Sequence, residues 1–97
     1  KKRVERAREI QRERFVGVEG VHTNADMGER ELKKYCKLSP ECEKILRMSF
    51  ERLKLSARAR SRIVKVARTI ADLAEERDIR AEHLLEAVSY RSYDNFN

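Results

Sequence analysis

The sequence predicts an all-α domain, a small bundle of about four to five helices, and three observations carry that prediction. Apolar residues recur at spacings of three and four in successive windows; no stretch alternates apolar and polar as a half-buried strand does; and the three glycines all fall within one short segment. Ninety-seven residues suffice for one domain with one core. Apolar residues make up 40% of the chain and charged residues 41%, so the core must be thin and wrapped in charge, an arithmetic that suits helices with one buried face. Residues 1–97 therefore read as a single helical domain: a leading helix over 1–16, a loop over 17–28 and the core bundle over 29–97.

Each element has its own grounds. Lys1 to Phe15 reads as helix interior, with Val4, Ala7, Ile10 and Gln11 on one side and no capping residue ahead, as an excised piece of a longer protein would. Gly17, Gly20, Thr23, Asn24 and Gly28 then concentrate turn chemistry. A short helix from about Glu29 to Cys36 buries Leu32, Tyr35 and Cys36 and stops before Ser39-Pro40. Ser39, Pro40 and Glu41 make a helix start: the hydroxyl accepts an orphan N–H, Pro loses nothing at the first helical position, and Glu complements the dipole. Ile45, Leu46, Ser49 and Leu53 mark the buried face of that helix, which runs to about Lys54. Ser56 caps the next, about Ala57 to Glu75, where Ala59, Ile63, Val66, Ala67, Ile70, Leu73 and Ala74 form the broadest stripe in the sequence; it is expected at the centre of the bundle. After a charged turn at Glu76, Arg77 and Asp78, a last helix from about Arg80 to Arg91 presents Leu84, Leu85 and Val88.

Composition also bounds function. The net charge of +6 comes from 23 basic against 17 acidic residues with both signs interspersed, the pattern of solvated helix faces more than of a nucleic-acid-binding tail. No apolar run approaches the roughly 18 residues that cross a bilayer, and no basic-then-apolar leader opens the chain, so a cytoplasmic protein without a membrane partner is expected. Cys36 and Cys42 are too few for a disulfide framework. Their C-x5-C spacing, with His22 and His83 far off on either side, does not match the close pairs of structural zinc sites, so no metal site is expected and both thiols read as small buried side chains.

One constellation carries chemistry. Arg58, Arg62 and Lys65, separated by four and three residues, fall on one strip of the central helix, roughly 110° from the centre of its apolar stripe. Such a strip is either a solvated edge whose stems cover the core, or an anion site. Arg58 is the sharper candidate, because it lies in the first turn, where free N–H groups and the helix dipole already favour a phosphate and a guanidinium can fork onto its oxygens. Asp72, Glu75, Glu76 and Asp78 read as solvation and turn chemistry at a helix end, His83 as a surface or packing residue, and His22 as a loop residue with nothing nearby to activate it. Ser56, Ser61 and the cysteines lack a nucleophile pattern, and no G-x-x-x-x-G-K phosphate loop followed by Ser or Thr is present, so no catalytic residue is expected in this chain by itself.

Ser56-Ala57-Arg58-Ala59 followed by Arg62-Ile63-Val64-Lys65-Val66-Ala67-Arg68-Thr69-Ile70-Ala71-Asp72-Leu73 resembles the signature of ComM-type, magnesium-chelatase-like AAA+ ATPases. Upstream, Val4, Ala7-Arg8, Gln11 and Arg14 are spaced as in that family's leading helix, followed by Asn24-Ala25 and Tyr35-Cys36-Lys37-Leu38; downstream, His83-Leu84, Glu86-Ala87 and Tyr90-Arg91-Ser92 are similar to its closing segment. The resemblance covers nearly the whole chain. It departs in the 17–28 loop and at Arg80, where the family often has a Thr or a Pro-linked start; the loss of that side-chain cap is expected to fray the last helix by about 1 kcal/mol.

The resemblance implies the C-terminal lid of an ATPase whose nucleotide-binding core lies outside these residues. It makes Arg58 the sensor-2 arginine, matches Lys65 to a basic position of related chelatase lids, and leaves Arg62 as a side candidate. The implied cofactors are ATP and Mg2+, bound by the parent and not by this chain alone. The implied partners are the AAA+ core, neighbouring subunits of a hexamer, and DNA, on which the parent would act as a branch-migration motor linked to recombination and natural transformation. Three other readings stand beside it: a magnesium-chelatase-type subunit lid, a stand-alone basic module that binds nucleic acid through Arg58, Arg60, Arg62 and Lys65, and a helical interaction domain with no ligand.

Overall fold

In the computed structural model the backbone is described for residues 2–96 and side chains for residues 2–90. The described residues form five helices, α1 (Lys2–Arg14), α2 (Glu29–Tyr35), α3 (Pro40–Leu53), α4 (Ala57–Leu73) and α5 (Ala81–Phe96), with a 3-10 turn at Asn24–Asp26 and no strand. The all-helical class follows the sequence. The last helix continues five residues beyond the expected Arg91, and α4 stops two residues short of the expected Glu75.

The caps explain the boundaries. Ser39 Oγ accepts from the Cys42 N–H at 3.1 Å with Pro40 at the first position of α3, and Ser56 Oγ accepts from the Ala59 N–H at 3.1 Å to open α4. α3 ends on Lys54 at φ 52°, which turns the chain so that the Leu55 N–H reaches the Phe50 carbonyl and the Leu55 side chain is buried. Beyond α4 the chain reverses at Glu75, φ 56°, with Glu75 N–H to Asp72 O at 3.0 Å and Glu76 N–H to Ala71 O at 2.8 Å, a reversal that the helical stripe alone does not reveal. The expected fraying of α5 is corrected: the Arg80 N–H donates to His83 Nδ1 at 2.9 Å, so a buried imidazole three residues on supplies the cap. That bond also settles His83 as an interior residue.

α4 is the centre, packing on α5, α1, α2 and the 3-10 turn, while α3 packs on α5. Leu46, Ile63 and Leu84 are the largest fully buried apolar side chains, one each from α3, α4 and α5. Phe15, Val21 and Met27 extend this core from the stretch after α1, and Phe15 meets Tyr35 edge to face at 5.4 Å between centroids. Asp26 fixes the 3-10 turn by accepting from the N–H groups of His22 and Thr23, bonds that hold its carboxyl below the usual aspartate range.

Four expected core positions are corrected, among them Ala74, which lies exposed just past the end of α4. Leu85 is 56% exposed, Val66 is 39% exposed and Val4 is 45% exposed. The buried face of α4 is instead Ala59, Ile63, Val64, Ala67, Arg68, Ala71 and Asp72, centred roughly 90° round the helix from the stripe of apolar residues. The cause is that two charged residues complete the face, and a hydrophobic pattern cannot count them.

Candidate functional site

The rotation of α4 changes the setting of its basic strip. Arg58, Arg62 and Lys65 lie roughly 150° from the centre of the buried face, so the strip looks outward rather than along the edge of the core. Arg58 and Arg62 are exposed and Lys65 is half-buried. Lys65 Nζ donates to the Ala25 carbonyl of the 3-10 turn at 3.3 Å, which anchors the C-terminal end of the strip. Arg60, two residues from both Arg58 and Arg62, is drawn toward α3 by Glu43 at 3.4 Å. Among the described residues Arg58 has no ion pair. α1, α2, α3 and α5 each carry an acidic residue in the first turn, but α4 carries none and puts Arg58 there. A cation in that turn opposes the helix dipole, and an anion bound beside it reverses the sign of the interaction.

Toward the C-terminal end of α4, where α1 and the 3-10 turn pack on it, lies a polar network built on Asp72, which the sequence reading assigned to solvent. Asp72 is 1% exposed. Its carboxylate accepts two bonds from Arg14 (Nη2 to Oδ1 at 2.6 Å, Nη1 to Oδ2 at 2.9 Å), one from Asn24 Nδ2 at 2.8 Å, and an ion pair from Arg68 Nη2 at 3.2 Å. Asn24 closes the ring: its Oδ1 accepts from Arg14 at 2.9 Å, its Nδ2 also donates to Thr69 Oγ1 at 3.1 Å, and its backbone N–H donates to Gln11 Oε1 at 2.9 Å. Arg68 also donates to two carbonyls of the turn that follows α4, Nη1 to Arg77 O at 2.9 Å and Nη2 to Glu76 O at 2.8 Å. Burial pushes the Arg68 guanidinium down and the neighbouring Asp72 carboxylate opposes that shift. Arg68 Nε is the one buried side-chain nitrogen or oxygen among the described residues that lacks a partner.

This arrangement explains the family signature physically. Gln11, Arg14, Asn24, Arg68, Thr69 and Asp72 are the residues that clamp α1 and the 3-10 turn onto α4, so much of what is recognisable in the sequence is structural. The available signal was the Arg68–Asp72 spacing of four on one helix face, together with Arg14 and Asn24 recurring in the same resemblance. The remaining acids do lie at the turn: Glu75 faces Arg6 at 3.5 Å and Glu76 faces Arg80 at 3.5 Å.

Cys36 and Cys42 are buried, and desolvation raises the Cys36 thiol to about 11. Among the described residues no group of three or more His, Cys, Asp or Glu side chains is placed to hold a metal ion, and no described helix is long and apolar enough to cross a membrane.

Comparison with known proteins places this geometry. The chain is 40% identical over 92 residues to the competence protein ComM of Haemophilus influenzae, covering 95% of this chain and 17% of that protein. It is 46% identical over 71 residues to the uncharacterised protein YifB of Salmonella typhimurium and 45% identical over 71 residues to YifB of Escherichia coli, in each case covering 73% of this chain and 14% of the relative. The chain thus spans less than a fifth of the length of these curated relatives. Residues 1–91 match the family model described as magnesium chelatase, subunit ChlI C-terminal, and the chain belongs to that family, in its ComM-type branch.

Proposed function

We propose that this chain is the lid of a ComM-type AAA+ ATPase and that Arg58 is its sensor-2 arginine, reaching the terminal phosphate of ATP held by the nucleotide-binding core of the parent. The observation that carries this reading is the placement of Arg58: exposed, in the first turn of α4, on the one described α-helix that opens without an acidic residue. ATP with Mg2+ supplies a transferable phosphoryl group whose oxygens carry the charge to be held. A guanidinium offers two parallel donors to such oxygens, and phosphoryl transfer is accelerated mainly by positive charge positioned on them. Arg62, one turn further along, extends the same positive field, and Lys65, tethered to Ala25, fixes where the strip ends. The described residues offer no ligand cluster for Mg2+, so the reading assigns the metal to the core. A rigid α4, clamped through Asp72 to α1 and the 3-10 turn, lets this charge move as part of one body when the lid moves.

On this reading the parent is a hexameric motor on DNA in the cytoplasm, and the name of the Haemophilus relative, a competence protein, supports a link to recombination during natural transformation. The family description favours one sibling reading, a lid in a magnesium-chelatase-type subunit, which assigns Arg58 the same role. The stand-alone nucleic-acid module draws less support, since Arg60 and Lys65 are engaged within the domain.

The test is Arg58→Ala in the full-length protein. ATP turnover is expected to fall by about 100-fold to 1,000-fold, the usual effect of removing one positioned donor, with partial recovery in Arg58→Lys. Unchanged turnover and ATP affinity would overturn the assignment. Tight, steeply salt-dependent DNA binding by these 97 residues alone would favour the module instead.

A further inference from the structure

A cleft of about 540 Å3 opens where α1, α2 and the turn after α4 meet, within the roughly 300–1,000 Å3 of small-ligand sites. Its described lining runs from Ile10 to Ile79 and includes no residue of α5, which starts at Ala81 and carries Arg91 roughly 15 Å away along its axis. Arg14 and Arg68 form the inner wall, with side chains 13% and 5% exposed, while Lys34, Lys37 and Arg77 are exposed around them. Lys34 Nζ sits over the ring of Tyr35, which lines the same cleft, 5.3 Å from its centroid.

The charges here do not balance. Asp72 is one carboxylate for two guanidiniums, Arg14 and Arg68. Of the acids on the rim, Glu75 and Glu76 already face Arg6 and Arg80, and Asp78 has no ion pair among the described residues. Asp72 thus offsets one inner cation and Asp78 one exposed cation, which leaves three positive charges over one cleft. Arg68 shows the same imbalance independently: the residue is 4% exposed and its Nε is buried without an acceptor. A buried donor in that state is costly, and a bound anion is one way a fold offsets such a cost.

We propose that this cleft binds a phosphate oxyanion of two or more charges, a terminal phosphate or a pyrophosphate, between the exposed Lys34, Lys37 and Arg77 and the guanidiniums of Arg14 and Arg68. Guanidiniums fork onto phosphate oxygens, and lysines add point charges beside them. Three surplus charges match such a group better than the single charge of each phosphodiester in a nucleic-acid backbone. The site is separate from the one proposed above, because Arg68 lies roughly 15 Å along α4 from Arg58.

Acetylation of lysine amines in the full-length protein, read residue by residue by mass spectrometry, tests this. At constant ionic strength, saturating inorganic pyrophosphate is expected to slow modification of Lys34 and Lys37 by about threefold or more. Lys33, exposed but outside the cleft, is expected to react unchanged, and dimethyl phosphate, a monoanionic diester, is expected to protect nothing. Arg77→Glu keeps the carbonyl that Arg68 uses and is expected to weaken pyrophosphate binding about tenfold, while Asp78→Asn, which removes the unpaired carboxylate, is expected to tighten it about threefold. Arg58→Ala is expected to leave the protection intact, which separates this site from a nucleotide held near Arg58. Protection that is absent, lost in Arg58→Ala, retained in Arg77→Glu, shared by Lys33 or reproduced by dimethyl phosphate would overturn the proposal. So would Lys34 and Lys37 that are already unreactive without pyrophosphate, since another part of the protein would then cover the cleft.

Discussion

Arg14 and Asp72, 58 residues apart in the chain, meet in a two-pronged ion pair with contacts of 2.6 and 2.9 Å, in a site where Asp72 is 1% exposed. Arg68 and Asn24 complete the shell around the same carboxylate. α1 contributes little apolar area of its own: Ala7 is its one buried residue, so this pair does much of the work of attaching it.

Neutralising that carboxylate therefore leaves two guanidiniums in the interior without their counter-charge. Asp72→Asn is expected to destabilise the domain by about 3–5 kcal/mol, the usual cost of removing one partner of a buried pair. Urea unfolding monitored by circular dichroism measures it. A loss below about 1 kcal/mol, the value for a surface pair, would show that the network is not holding α1.

Lys54 holds φ 52° at the end of α3, a conformation that costs a side chain energy and glycine nothing. Lys54→Gly is expected to stabilise the domain by roughly 0.5–1 kcal/mol, the strain relieved less the greater freedom of glycine in the unfolded chain. Thermal unfolding provides the check: a lowered Tm would mean that the Lys54 side chain makes a contact worth more than its backbone strain.

Cys36 has its thiol raised from 9.0 to about 11 by burial. Its folded-state value exceeds its unfolded one, so its contribution to stability is complete below about pH 9 and is lost as pH climbs toward 11. At pH 8 the native thiol is protonated and covered, and a thiol reagent is expected to label it only after the protein unfolds. Rapid labelling of native protein at pH 8 would contradict the burial. Cys36→Ala should flatten the alkaline limb of the stability curve while leaving neutral behaviour altered only by the lost side-chain volume.

The sequence alone determined the helical class, the order of the helices and the two serine caps, because periodicity and capping are local: each depends on residues within one or two turns. It also carried the family, through runs of residues that survive as a linear pattern. The tertiary structure alone decided what those runs do. Whether Asp72 meets water or Arg14, whether Val66 faces the core, and whether the Arg58 strip lies beside the buried face or opposite it all depend on what α1 and the 3-10 turn cover. A charged residue acquires its partner only when distant segments pack, and no spacing along the chain records the burial that results.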